Sequence, residues 1–153
     1  MRIAIAIVIF AAASAAAAQS STPSSSPTGL WKTVNEKGEP EGLVRIIEVA
    51  GELRGTVEKV YSPPAPEAAP RCVPCTGELK DKPVIGLEIL RGLRWDGEQY
   101  SGGEILDPNN GKFYRCLMRV VDDGRKLEVR GYIGISLLGR TQVWLRDEAQ
   151  SSK

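Results

Sequence analysis

Lys112-Phe113-Tyr114-Arg115-Cys116-Leu117-Met118-Arg119-Val120-Val121 alternates between two kinds of side chain. Arg115 and Arg119 mark one face; Tyr114, Cys116, Met118 and Val120 mark the other. A period of two belongs to a strand with one face on a core and the other in water. Asp107-Pro108-Asn109-Asn110-Gly111 precedes the run and Asp122-Asp123-Gly124 follows it. These residues favour turns through local side-chain hydrogen bonds, a fixed φ or tolerance of positive φ. The neighbouring runs, Gln99 to Ile105 before and Leu127 to Ser136 after, are therefore predicted to pair with it as hairpins.

The same rhythm extends outward in both directions, with turns every eight to twelve residues or so. Strands are predicted at Leu30 to Val34, Leu43 to Val49, Leu53 to Tyr61, Val84 to Trp95 and Arg140 to Arg146. Ala50-Gly51 suits a tight hairpin. In Val84 to Trp95, the residues Ile85, Leu87 and Ile89 share one face and Glu88 takes the other. The stretch from Pro63 to Pro83 is too broken by proline to be a strand, and it carries Cys72 and Cys75. No long segment shows a helical period. The prediction is all-β, an antiparallel up-and-down barrel of about eight strands, whose closure removes exposed edges. A barrel of that size either fills its interior with side chains or encloses one small ligand.

At the N-terminus, one basic residue, the apolar run Ile3 to Phe10 and the small residues Ala16-Ala17-Ala18 form a signal-peptide pattern over residues 1–18, with the cut before Gln19. The apolar run to Ala18 falls short of the roughly 20 residues a spanning helix needs, so no transmembrane segment is expected in the mature chain. Residues 19–27, rich in Ser, Thr and Pro, are predicted to be a disordered spacer, 28–147 the barrel domain and 148–153 a flexible tail. Periplasmic or secreted placement follows from the leader.

The chain has no His, which excludes Ser-His-Asp and Cys-His catalysis and His-ligated metals. It has 20 basic and 19 acidic residues, and losing Arg2 with the leader (20 − 1 = 19) leaves a neutral domain. That is not the electrostatic footprint of a nucleic-acid binder. No catalytic residue, metal site or cofactor is assigned. Cys72-x-x-Cys75 has the spacing of a redox dithiol, but it lies in a proline-rich loop without the helix that lowers a thioredoxin-type thiol pKa. Export favours a structural disulfide. Cys72–Cys75 is the favoured pair, with Cys116 a buried thiol; Cys116 bonded to one of the loop cysteines is the competitor.

The function that best suits such a barrel is holding a small apolar or amphipathic molecule. Ile85, Leu87, Ile89, Tyr114, Met118 and Val129 are predicted to line the interior. Tyr100, Tyr114 and Tyr132 are candidate polar handles, and Arg91 or Arg130 candidate contacts for an acidic head group. Two other readings stand beside it: an envelope interaction protein using the Pro63–Pro83 loop, and a dithiol oxidoreductase using Cys72 and Cys75.

Gly29-Leu30-Trp31 at the first strand resembles the lipocalin and wider calycin signature. That resemblance implies that an Arg of the last strand, Arg140 or Arg146, packs across Trp31 at the closed end of the barrel. A second resemblance covers nearly the whole mature chain. Thr28 to Thr33, Cys72-Val73-Pro74-Cys75-Thr76-Gly77, Gly103 to Pro108, Gly111-Lys112, Tyr114-Arg115-Cys116, Val129 to Gly134, Gly139 to Gln142 and Trp144 are similar in order and spacing to the bacterial family called domain of unknown function 2147. This implies a secreted or periplasmic lipocalin-like barrel and no particular activity.

Overall fold

The computed structural model describes residues 26–35, 37–61 and 69–148. They form β1 (Gly29–Val34), β2 (Pro40–Val49), β3 (Glu52–Val60), β4 (Glu88–Trp95), β5 (Tyr100–Asp107), β6 (Lys112–Val121), β7 (Lys126–Tyr132) and β8 (Arg140–Arg146). The strands pair in chain order and close into a barrel, β8 returning antiparallel to β1 through Trp31–Arg146 and Lys32–Leu145. The expected all-β, eight-stranded up-and-down architecture is the one observed. The predicted leader at 1–18, residues 19–25 of the predicted spacer and residues 149–153 of the predicted tail lie outside the described residues. The last two spacer residues, Ser26 and Pro27, are described. Pro27 is buried, and its carbonyl accepts the Trp31 indole N–H at 2.8 Å.

The inward rows are filled by apolar residues at alternate positions. Met118 of β6 stands between Tyr100 of β5 and Val129 of β7, and Leu127 of β7 pairs with Trp144 of β8. Met118, Leu127, Val129 and Trp144 are all buried, whereas Arg115 and Arg119 are exposed, as the alternation in β6 predicts.

Strand β4 departs from the expected Val84 to Trp95. It begins at Glu88, and Ile85 lies in a turn before it, 46% exposed rather than inward. Against β3, Thr56 faces Glu88 and Gly55 faces Leu90, so Ile89 is an extra residue. Leu53 faces Leu93, and a second extra residue falls between Leu90 and Leu93, where Gly92 takes φ +77°. Each such bulge bends the strand and resets which side chains point inward. Leu90, fully buried, thereby takes a core position that a strict alternation from Ile85 does not assign to it, while the second bulge restores the parity so that Leu93, also fully buried, points inward as that alternation has it. Strand β7 is shorter than predicted. It ends at Tyr132, Gly134 adopts φ +76°, and Ser136–Leu138 forms a single 3-10 turn.

The two poles of the barrel differ. At the pole where β1 begins and β8 ends, the Arg146 guanidinium lies 4.2 Å from the centre of the Trp31 ring. It also donates to the carbonyls of Thr28 (2.9 Å), Ser26 (2.8 Å) and Gly124. The opposite pole is ringed by the described parts of the β1–β2 loop, by residues 69–87, and by the loops 108–111 and 133–139. Within the second of these, Cys72 and Cys75 form a disulfide and both are buried. An isolated bridge joins Arg71 to Pro83, and Cys72 exchanges backbone hydrogen bonds with Lys82 and Asp81. This segment sits on the β5–β6 turn. A Cβ at Gly111 would fall 2.3 Å from the Pro74 carbonyl oxygen.

Candidate functional site

At the loop-ringed pole the barrel opens into a cavity of about 670 Å³. Val129 and Trp144 lie deepest on its wall, Ile89, Ile105 and Tyr114 stand higher, and Thr33, Asn35, Glu41, Arg140 and Gln142 bring polar groups to it. The space exists partly because Gly131, an inward position of β7 between Cys116 and Arg140 in the ladder, has no side chain. A Cβ there would meet the Cβ of Tyr114 at 3.5 Å, the Cγ2 of Ile105 at 3.6 Å and the Cγ of Tyr114 at 3.9 Å, all ordinary contacts.

The rim is held by its own hydrogen bonds. Asp107 accepts the backbone N–H of Asn109 and the side-chain amide of Asn110, each at 2.9 Å. The same Asn110 amide donates to the Tyr114 hydroxyl at 2.9 Å, fixing that hydroxyl at the mouth. Asn35 ties the β1–β2 loop by accepting the N–H groups of Lys37 and Glu39 and donating to the Glu39 carboxylate. Deeper in, the Trp144 indole N–H donates to Gln142 at 3.1 Å. An apolar pocket with a few oriented polar groups at its entrance is the usual design of a small-molecule site.

Of the residues that the sequence nominates, Ile89, Tyr114 and Val129 line this cavity. Five do not. Met118 is packed in the core below it. Tyr100 is buried at the start of β5, near the closed pole, with its ring 5.2 Å from that of Trp95. Burial, and then the charge of Glu48, push its hydroxyl pKa up. Leu87 is buried ahead of β4, Ile85 is exposed in its turn, and Tyr132 is half-buried at the end of β7.

The two arginines proposed for the rim are engaged elsewhere. Arg91 pairs with Glu104 at 2.8 Å and lies over the Phe113 ring. Arg130 donates to the carbonyls of Ser136 and Leu137 and to Thr141. The last-strand arginines are separated by the length of β8: Arg146 covers Trp31, and Arg140 lines the cavity at the other pole. Sequence reading missed Arg140, Gln142 and Trp144 as lining residues. Their shared parity along β8 is the signal that could have found them, since Trp144 is the large apolar member of that face.

Cys116, the third cysteine, is a buried free thiol, and the competing bond from it to the loop is not formed. Burial pushes its pKa up to about 12. Among the described residues no helix is long and apolar enough to cross a membrane.

Residues 29–146 match a family described as an uncharacterized protein conserved in bacteria, DUF2147. The chain belongs to that family. Among solved structures, this DUF2147 chain is similar to protein HP1028 from the human pathogen Helicobacter pylori, which is described as belonging to the lipocalin family. The TM-score is 0.69 at 20% identity, over 81% of this chain and 84% of that one. At such identity the likeness concerns the fold, a lipocalin-like barrel. No curated protein matches. The motif segments through which this chain resembles DUF2147 divide between the poles: Gly29 to Trp31 belongs to the Arg146 closure, while Gly131, Arg140 and Gln142 line the cavity.

Proposed function

We propose that this DUF2147 protein is an exported binding module that holds one small amphipathic molecule in the open end of its barrel, in the cell envelope. The cavity carries the reading. Its volume, about 670 Å³, lies in the range of small-molecule sites, and its apolar depth and polar rim match a ligand with an apolar body and a polar head. The body would lie against Val129 and Trp144, the head near Thr33, Glu41 and Arg140. The leader pattern of residues 1–18 and a disulfide in the loop both favour an oxidising compartment outside the cytoplasm.

As for redox chemistry, both loop sulfurs are buried, and the nearest helical segment is the three-residue turn Gly77–Leu79, too short to activate a thiol. We read the disulfide as a staple of the loop.

The test is native mass spectrometry of protein expressed from the full chain in a bacterial host, with N-terminal processing read by intact mass. It is joined to titration with dansylundecanoic acid as a fluorescent amphipath. The expected result is a co-purifying small molecule or saturable one-to-one uptake of the probe, lost in Gly131→Leu with the fold retained. Absence of both in the wild-type protein, or equal uptake by Gly131→Leu, would overturn the reading.

A further inference from the structure

Four large aliphatic side chains stand in water within one seven-residue loop, 133–139, between β7 and β8. Ile133 is 64% exposed, Ile135 60%, Leu137 81% and Leu138 78%. No other segment among the described residues exposes so many so fully. The alternation that makes Ile133 and Ile135 look like strand residues in the sequence here serves a protruding tip instead.

The tip is built to hold its shape. Arg130 reaches from β7 and donates Nε to the Ser136 carbonyl (2.8 Å) and Nη2 to the Leu137 carbonyl (3.2 Å). The Leu138 N–H donates to the Ile135 carbonyl (3.2 Å) and the Gly139 N–H to that of Ser136 (3.0 Å). Three successive carbonyls, of residues 135, 136 and 137, are thus satisfied within the protein. A Cβ at Gly139 would fall 2.7 Å from the Gly131 carbonyl, so the base of the loop is packed as well. Turns that face solvent can carry such bonds too, as Arg125 and the Asp122 carbonyl show. A loop that enters hydrocarbon needs them, because an unpaired carbonyl there is costly.

Charge points the same way. From Val129 to Leu145 the chain holds Arg130 and Arg140 and no Asp or Glu. Within the hairpin itself, aliphatic side chains beside two cations fit the interface of an anionic bilayer, the carboxylates of Glu41 and Asp107 lining the cavity from other strands. The loop also adjoins the cavity: Gly131 and Arg140, which pair across the base of this hairpin, both line it.

We infer that loop 133–139 is a docking tip that seats in the surface of an anionic phospholipid bilayer and brings the cavity mouth to the lipid. The docking step stands on the loop itself. Its purpose, exchange of an amphipath between bilayer and cavity, rests on the function proposed above.

Flotation with vesicles of phosphatidylglycerol and phosphatidylethanolamine tests it, using protein expressed from the full chain with leader removal checked by intact mass. The wild-type protein should float with these vesicles and much less with pure phosphatidylcholine. Leu137→Ser with Leu138→Ser should weaken partitioning by about tenfold or more, because two of the four inserted side chains lose their apolar gain. The fold should be unchanged, since both residues are exposed, and dansylundecanoic acid uptake should persist. Gly131→Leu should lose the probe and still float, which separates failure of docking from failure of the cavity reading. Docking is overturned if the wild-type protein stays with the unbound fraction, or if the double variant floats equally well. A dimer in sedimentation velocity that the double variant abolishes, with no vesicle binding, would assign the tip to a second copy of the chain and equally overturn the inference.

Discussion

Arg146 holds its guanidinium 4.2 Å above the centre of the Trp31 ring while donating to three backbone carbonyls, two of them in the segment that precedes β1. One side chain therefore joins β8, the chain entering β1 and the turn after β6. Lysine keeps the charge but loses the planar fork that allows these contacts together. We expect Arg146→Lys to lower unfolding stability by about 2 kcal/mol, the order of one cation–π contact plus lost charge-assisted hydrogen bonds. Arg119→Lys, an exposed residue whose guanidinium pairs with Glu98 at 3.6 Å, should cost much less. Urea unfolding of the two variants checks this, and equal losses would remove the special role given to Arg146.

Cys116 should make stability depend on alkaline pH. Its thiol has an ordinary value of 9.0 and is pushed up to about 12 by burial in the folded state. Between those values the unfolded chain releases the proton and the folded one keeps it. The folded state then binds more protons, so stability falls as pH rises, by about 1.4 kcal/mol per unit at most. The contribution is fully present below pH 9 and spent by about pH 12. Cys116→Ala should flatten this part of the profile in chemical denaturation between pH 8 and 10.5. The native wild-type thiol should also resist Ellman's reagent at pH 8 and react once unfolded.

The Cys72–Cys75 bond closes a very short loop, so its effect on the unfolded chain is small. Chain-entropy arguments give about 2 kcal/mol for removing such a bond, as in the Cys72→Ala, Cys75→Ala double variant. Thermal unfolding with and without reductant measures it. In the insulin-reduction assay we expect the wild-type protein and Cys72→Ser to be equally inactive, and a rate that Cys72→Ser removes would restore the redox reading.

The parts of this fold that were legible in the sequence are those where one physical rule acts alone. β6 and β8 lie where alternation and turn chemistry place them, since neither strand carries an internal bulge of its own. β4 was misread because Ile89 and the residues around Gly92 add bulges, and a bulge breaks the period of two on which the reading relies. β7 was read too long because Ile133 and Ile135 alternate as a strand would, while the positive φ of Gly134 ends it. The candidate site was legible only in part. Alternation says which side chains point inward, as Tyr100 and Tyr114 do, but not at which pole or depth they stand. Only the closure of the barrel puts Tyr114 at the mouth and Tyr100 near the far end. The cavity also depends on an absent side chain at Gly131, which no count of apolar residues reveals.

Two glycines at turns should separate strain from contact. Gly38 takes φ +79° with open space around its Cβ position, whereas Gly111 takes φ +72° with the Pro74 carbonyl oxygen 2.3 Å from that position. Gly38→Ala should cost only the backbone strain, about 1 kcal/mol. Gly111→Ala should cost that and more, roughly 3 kcal/mol or displacement of the Cys72–Cys75 segment from the barrel. Denaturant midpoints and limited proteolysis across residues 69–83 distinguish the two.

Both ends of the barrel domain leave from the same pole. The Asp147 N–H donates to the Leu30 carbonyl at 2.8 Å, and Ser26 to Thr28 lie under Arg146, so the first and last described segments meet at the closed end. A tether attached before Ser26 or after Glu148 would therefore hang the domain by its sealed base. The mouth and the 133–139 tip would face away from the point of attachment. Immobilised on a sensor surface through either terminus, the protein would present its receptive side outward, and a leash at that pole would let it swing toward an opposing surface without blocking its own entrance.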